Sequence, residues 1–392
     1  MNQCVEVFWR FLLLGCISFG GPAAHIGYFR KTFVEQLKWL DESAYARLIA
    51  LSQFLPGPGS SQIGFSIGYQ RAGLAGAISA FIGFTLPSFL LLYFFALTTS
   101  QHSEQVFLDG VIHGLKLLAV VVVADATLTM FKMFCTNRLT IFIFAASALF
   151  LMLFPSLLSQ LLVLVASALI ALVYQKVAKS KANPSIVEQT SSTAKHMGFN
   201  KLPMILFLSL LIVLPFISLP WPLLNLFNDF YLAGSLVFGG GHVVLPLLQE
   251  TLGSAVTTDN FLTGYAAAQA VPGPMFTLAT FLGASSLPEQ ALLGATIATL
   301  GVFLPGFLLI LSLQESWSNL AQNKNIANAI VGVNAAVVGL LLAALYNPVF
   351  ISAVLSISQL VIVLIGFVLL RFTKLPILTY VISFALLGYF LF

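Results

Sequence analysis

Two glycine- and proline-rich runs hold the residues of this chain most able to do chemistry. The first is Phe19-Gly20-Gly21-Pro22, followed by His25 and Arg30. The second is Gln53, then Leu55-Pro56-Gly57-Pro58-Gly59, followed by Ser60, Ser61 and Gln62. Each lies inside a long apolar stretch. Proline removes a backbone donor and glycine adopts conformations that other residues avoid, so both runs must interrupt a helix. An interrupted helix presents unpaired N–H groups and a partial positive charge at its new N-terminus. That arrangement receives an anion without a buried cation, and the hydroxyls and amide after Pro58 add donors. Both runs recur. Phe238-Gly239-Gly240 precedes His242, and Gln269 precedes Pro272-Gly273-Pro274. Met275, Phe276 and Thr277 follow the later run, so the two copies differ in polarity.

Titratable residues supply a second set. Asp109, His113 and Lys116 fall at i, i+4 and i+7, on one face of a helix. Lys116 lies in its outer half and is expected either to meet a substrate or to snorkel outward. Asp125 stands about 180° round the same helix at 100° per residue, so it does not pair with Lys116 there. An intramembrane carboxylate is expected to relay protons or to form an ion pair. Arg30 is a cation near an anion's entrance, whereas Arg47 and Arg71 read as anchors on the positive side of a membrane. Gly64, Gly68, Gly73 and Gly76 read as sites of close helix packing. No G-x-x-x-x-G-K-[ST] and no H-E-x-x-H occurs, and Cys4, Cys16 and Cys135 have no paired spacing. Nucleotide hydrolysis, a metal and a cofactor are therefore not expected.

The elements that must position these residues follow from composition. Of 392 residues 59% are hydrophobic and 8% charged, against about 25% charged in a soluble domain. Thirty charges cannot solvate a globule of this size. A water-soluble enzyme is excluded, and so is a nucleic-acid binder, the net charge of +4 being better read as membrane topology. Apolar segments cover 5–23, 44–66, 73–98, 107–131, 139–154 and 156–174, then 203–220, 228–247, 260–284, 290–314, 326–346, 349–370 and 375–392. Such runs predict an all-α polytopic membrane protein. Arg10 and the apolar run to Ser18 resemble a signal peptide, but Phe-Gly-Gly recurs where cleavage makes no sense.

The segments form two copies of one unit. Besides the glycine–proline runs, Gly76-Ala77 matches Gly294-Ala295, Leu86-Pro87-x-Phe89 matches Leu304-Pro305-x-Phe307, and Gly114 matches Gly332. The expected organisation is a first repeat over 1–174, a flexible basic cytoplasmic linker over 175–201, a connecting helix over 202–226 and a second repeat over 227–392. Six apolar segments plus one is an odd number, so the second copy enters the membrane inverted, as in many secondary transporters. If the two interrupted segments of each repeat dip in and return, every basic loop falls inside; ordinary kinked spans are the alternative.

The paired motifs Phe19-Gly-Gly-Pro-Ala-Ala-His25 with Arg30, and Gln53-Phe-Leu-Pro-Gly-Pro-Gly59, each present twice in order, resemble the chromate ion transporter family in its duplicated form. The resemblance implies export of chromate across the bacterial inner membrane by a multi-pass protein, conferring chromate resistance. Sulfate or another tetrahedral oxyanion, and conduction as an anion channel, stay open, as does pairing into a homodimer. The family's motif positions carry over to Gly20, Gly21, Pro22, His25, Arg30, Gln53, Pro56, Gly57 and Pro58, and to Gly239, Gly240, His242, Gln269, Pro272, Gly273 and Pro274. Gly241 replaces the proline that the first copy has at Pro22. With Gly59, Ser60 and Lys116 these form the expected oxyanion site, and Asp125 the expected proton relay. Pro56→Ala or Gly57→Val is expected to cut anion flux about tenfold or more, equivalent to about 1.4 kcal/mol, while the chain stays in the membrane; flux assays alongside membrane immunoblots check this.

Overall fold

The computed structural model describes residues 2–19, 21–101, 106–181, 200–216, 221–238, 244–253, 256–317, 324–373 and 375–391. Gly20, Gly239, Gly240 and His242 fall outside them, as does 182–199 of the expected linker. The described residues are helical and contain no strand. Five helices among them are long and apolar enough to cross a membrane, and five shorter apolar ones accompany these.

The first half begins with α1 (Gln3–Ile17), capped by the Asn2 side chain and burying Val7, Phe11 and Leu14 on one face. After the first break come α2 (Gly21–Phe29), its π-helical extension Arg30–Gln36, and α3 (Glu42–Phe54). The Asp41 carboxylate starts α3 by accepting from Ala44 N. Leu55 ends it in an extended conformation, as the residue before a proline prefers. The next helix, α4 (Gly59–Gln101), bends at the non-helical Ala72 and Gly73 into a short arm (59–71) and a long arm (74–101). Gly73 has φ +62°, which glycine supplies without strain.

The bend decides the topology. Arg71 at the end of the short arm lies 3.2 Å from the Glu6 carboxylate and 4.8 Å from the Trp39 ring centre. The start of α1, the turn between α2 and α3, and the α4 bend therefore share one end of the bundle. Ser18, His25 and Ser60 meet at the far end of the same segments. Both interrupted segments of this half thus run from that end of the bundle to their breaks and back, and the long arm of α4 follows the bend.

The rest of this half is α5 (Val106–Phe134), α6 (Arg138–Leu153) and α7 (Leu157–Lys181). The last helix runs on into the stretch read as a linker. A connecting helix, α8 (Lys201–Val213), packs on the second half, with the Tyr231 hydroxyl donating to Phe207 O. The second half repeats the plan with α9 (Pro222–Leu236), α10 (Val244–Leu252), α11 (Thr258–Ala270), α12 (Leu278–Ser286), α13 (Ala291–Leu313), α14 (Lys324–Ala344), α15 (Ile357–Phe372) and α16 (Ile377–Leu391). Pro222 opens α9, proline being favoured in a first helical turn, so 222–226 belong to this helix rather than to the connecting one.

Small residues let equivalent helices approach in both halves. Gly15 lies against the carbonyls of Gly83 and Phe84, and Gly234 against that of Val302. Gly68 meets Gly76 across the α4 bend, and Gly283 meets Gly294 across the α12–α13 turn. The halves also interleave. Gly114 of α5 packs on Phe384 and Gly388 of α16, while Gly332 of α14 packs on Ser167 and Ala171 of α7. Because a Cβ at Gly68 would overlap the Gly76 carbonyl, Gly68→Leu is expected to destabilise the protein by about 1–3 kcal/mol, read as earlier thermal unfolding in detergent.

Candidate functional site

Two backbone hydrogen bonds among the described residues join the breaks of one half to those of the other. Gly57 N donates to Val237 O at 2.7 Å, and Gly273 N donates to Ser18 O at 2.9 Å. Val237 and Ser18 immediately precede the two Phe-Gly-Gly runs, so the bonds are equivalent and cross between repeats. The donor glycines adopt φ +112° and +102°, a region that strains other residues. A side chain is excluded there for a second reason. A Cβ on Gly57 would lie 3.0 Å from Gly306 Cα, and one on Gly273 2.9 Å from Ser88 Oγ. Gly306 and Ser88 directly follow Pro305 and Pro87, the prolines inside α13 and α4. Gly21, at φ +74°, faces the Met275 sulfur.

His25 ties the two breaks of the first half together. It is fully buried, with Nε2 3.2 Å from Ser18 O and Nδ1 3.1 Å from Ser60 Oγ. A carbonyl only accepts, so Nε2 carries the proton and Nδ1 accepts from the Ser60 hydroxyl. The Phe84 and His25 rings meet edge to face with their centres 5.1 Å apart. Beyond Ser60, the Gln62 amide nitrogen donates to Pro56 O at 2.8 Å and to Gly306 O at 3.2 Å, bracing the proline break against α13. Phe65 stacks on Phe307 beside it at 4.3 Å.

The structure therefore brings together Gly21, His25, Pro56, Gly57, Pro58 and Ser60 with Gly273 and the residues flanking it, Pro272 and Pro274. Gly57, Pro58, Pro272, Gly273 and Pro274 are buried, whereas Gly59, Pro22 and Pro56 are partly exposed. Gln53 is exposed on α3, and its counterpart Gln269 places Nε2 3.8 Å from the Met275 sulfur. Three charged candidates are held elsewhere. Arg30 is half exposed between Glu35 and Glu42, each at 2.6 Å, near the start of α3 rather than at the break. Lys116 is buried and its Nζ reaches the exposed carboxylate of Asp259 at the start of α11, 2.6 Å away. Asp125 pairs with Arg371 of α15 at 2.8 Å, and Arg371 also donates to Thr129.

Sequence reasoning missed Asp259 and Arg371, which lie 143 and 246 positions from their partners. It also missed Ser18, Ser88 and Gly306. Their only signal was position, beside a Phe-Gly-Gly run or just after the paired intrahelical prolines.

An all-helical bundle of two inverted, interleaved repeats, with helices broken at a shared centre, defines a polytopic membrane transport protein. The chain belongs to the chromate transporter family, whose model, described as "Chromate transporter", matches residues 5–172 and 224–389. It is 28% identical over 392 residues to an uncharacterised transporter of Methanocaldococcus jannaschii, covering 99% of this chain and 94% of that one. It is 28% identical over 350 residues to a chromate transport protein of Pseudomonas aeruginosa, covering 86% and 79%. A chromate transport protein of Cupriavidus metallidurans is 27% identical over 397 residues, covering 98% and 92%. No solved structure matches.

A buried ammonium left without its carboxylate is costly, whereas an apolar replacement is often neutral. Asp259→Asn is therefore expected to lower thermal stability in detergent, and adding Lys116→Met to restore most of it.

Proposed function

We propose that this protein is a secondary transporter that exports chromate from the cytoplasm across the bacterial inner membrane and so confers chromate resistance. The observation that carries the reading is the crossed pair of helix breaks, a central site of backbone N–H groups suited to an anion. The names of the Pseudomonas and Cupriavidus relatives supply the ion. In this reading the N–H groups that follow Pro58, with Ser60 and the His25 that orients it, receive the oxyanion. Gly21, Pro56, Gly57 and Gly273, with Pro272 and Pro274, hold the breaks open. Arg30, between its two carboxylates, lines the cytoplasmic approach, and Lys116 keeps the halves in register through Asp259. Asp125, the proton-relay candidate, is held by Arg371 across the two halves.

Energetics favour the outward direction. Moving one charge is worth about 2.3 kcal/mol per 100 mV. Export of a dianion from a negative interior is therefore favourable by roughly 4.6 kcal/mol at 100 mV, whereas uptake would need cotransported cations.

Chromate uptake into everted membrane vesicles at imposed potential tests this. Saturable accumulation that grows with potential, over vesicles lacking the protein, is the expected outcome. Accumulation no greater than in empty vesicles would refute it, and an arm with excess sulfate reads selectivity.

A further inference from the structure

A cavity of about 370 Å³ lies between α3, the end of the short arm of α4 and the turn after α13. Leu48 and Leu51 of α3 and Trp317 form its buried floor, and Arg47, Gln70 and Glu315 its exposed rim. Gln70 immediately precedes Arg71, so the cavity opens at the end of the bundle where Arg71 meets Glu6. Lys31, Lys38 and Arg47 make this the cytoplasmic end on the charge pattern. The same three elements carry the first proline break. The helix α3 leads into it, the short arm leaves it, and Gly306 of α13 lies against Gly57. Trp317 on the floor meets the Phe54 ring with centres 4.9 Å apart, and Phe54 stands two residues before Pro56. The cavity is therefore an approach to the break. A water takes about 30 Å³ in the liquid, so a tetrahedral oxyanion fits there with part of its hydration shell.

The carboxylates near Arg47 are committed elsewhere. Asp41 caps α3, accepting from Ser43 Oγ at 2.7 Å and from Ala44 N at 2.6 Å. Glu35 and Glu42 hold Arg30, and Glu6 holds Arg71. Arg47 donates to the Ser43 hydroxyl at 3.2 Å, and among the described residues no carboxylate forms a salt bridge with it. Glu315 lines the same cavity without reaching it. Membrane topology explains an arginine at this end, but not a cavity beside it or the lack of a counter-ion. A guanidinium stays charged and offers paired donors that match two oxygens of an oxyanion. The second half has no such cation. Asp41 and Thr257 cap α3 and α11 at equivalent positions, which sets the buried Thr263 where Arg47 would recur. The cation belongs to one end of the molecule, as suits a carrier that loads from one compartment.

Resting on the export reading above, we propose that this cavity is a cytoplasmic vestibule, in which Arg47 binds the tetrahedral oxyanion before it passes to the Pro56–Gly57 break. A fixed cation at the mouth of a low-dielectric cleft raises the local concentration of a dianion and speeds its entry. Glu315 opposes that attraction and keeps the site weak, so the anion moves on rather than lodging at the rim. Arg30, already matched by two carboxylates, lines the approach without binding.

Initial rates of chromate uptake into everted vesicles, whose outer surface is the cytoplasmic face, test the assignment, with inserted protein measured by immunoblot. Arg47→Gln is expected to raise KM about tenfold, as loss of a charged hydrogen-bonding partner implies. Its kcat should stay within about twofold of wild type, because the binding removed precedes the crossing step. Glu315→Gln should lower KM about threefold, a gain that damage to the fold does not produce. Added salt should raise the wild-type KM more than that of Arg47→Gln, since screening acts on the charge that the variant lacks. A KM in Arg47→Gln within about twofold of wild type, or one in Glu315→Gln no lower than wild type, overturns the vestibule and leaves the export reading standing. Wild-type uptake no greater than in empty vesicles overturns the export reading and this one with it. Where Arg47→Gln does not reach the membrane, Glu315→Gln decides the matter.

Discussion

A backbone amide freed at membrane depth has no water to turn to, and this structure answers that constraint by making each half complete the other. The crossed bonds from Gly57 to Val237 and from Gly273 to Ser18 require glycine at a positive φ as the donor. They also require a close approach to the residue after the partner half's intrahelical proline, where Gly306 and Ser88 stand. The small residues that thin the helix contacts at Gly15, Gly68, Gly234 and Gly283 serve the same end, because without that closeness the breaks would not reach each other.

On this symmetric scaffold the chemistry is lopsided. His25 recurs as His242, but Gln62, Lys116 and Asp125 belong to the first half alone, with Leu278 where Gln62 would recur. The repeat places Asn334 and Ala343 on α14 where α5 has Lys116 and Asp125. Both α5 ions look to the second half for their partners, at two different depths. Backbone geometry is thus shared between the copies, and side-chain polarity only in part. Strain and backbone bonding constrain both breaks equally, whereas a single central ligand needs only one set of polar groups.

How much of this could be read from the chain depends on the range of the interaction. The breaks were legible because proline and glycine act on their own backbone, and the repeat was legible because those residues recur in order. Arg30, Lys31, Lys38 and Arg47 favoured re-entry through the side of the membrane on which they would fall, with ordinary kinked spans as the alternative. What stayed hidden is pairing at a distance. Nothing local in Asp125 announces that Arg371 engages it, nor in Lys116 that it reaches Asp259. The exposed Gln53, repeated as Gln269, looked as eligible as the buried Gln62, because sequence spacing does not say which side of a short helix faces the centre.

The exchange of closing helices has a consequence for ancestry. With α16 seated on α5 and α7 seated on α14, neither half encloses itself. A single unit on its own could be covered only by a companion threaded the other way up. A fusion of two such genes therefore works only if the join reverses the direction of insertion. In the inverted arrangement expected from the sequence, α8 is the odd helix between the two units, and their parity would rest on it.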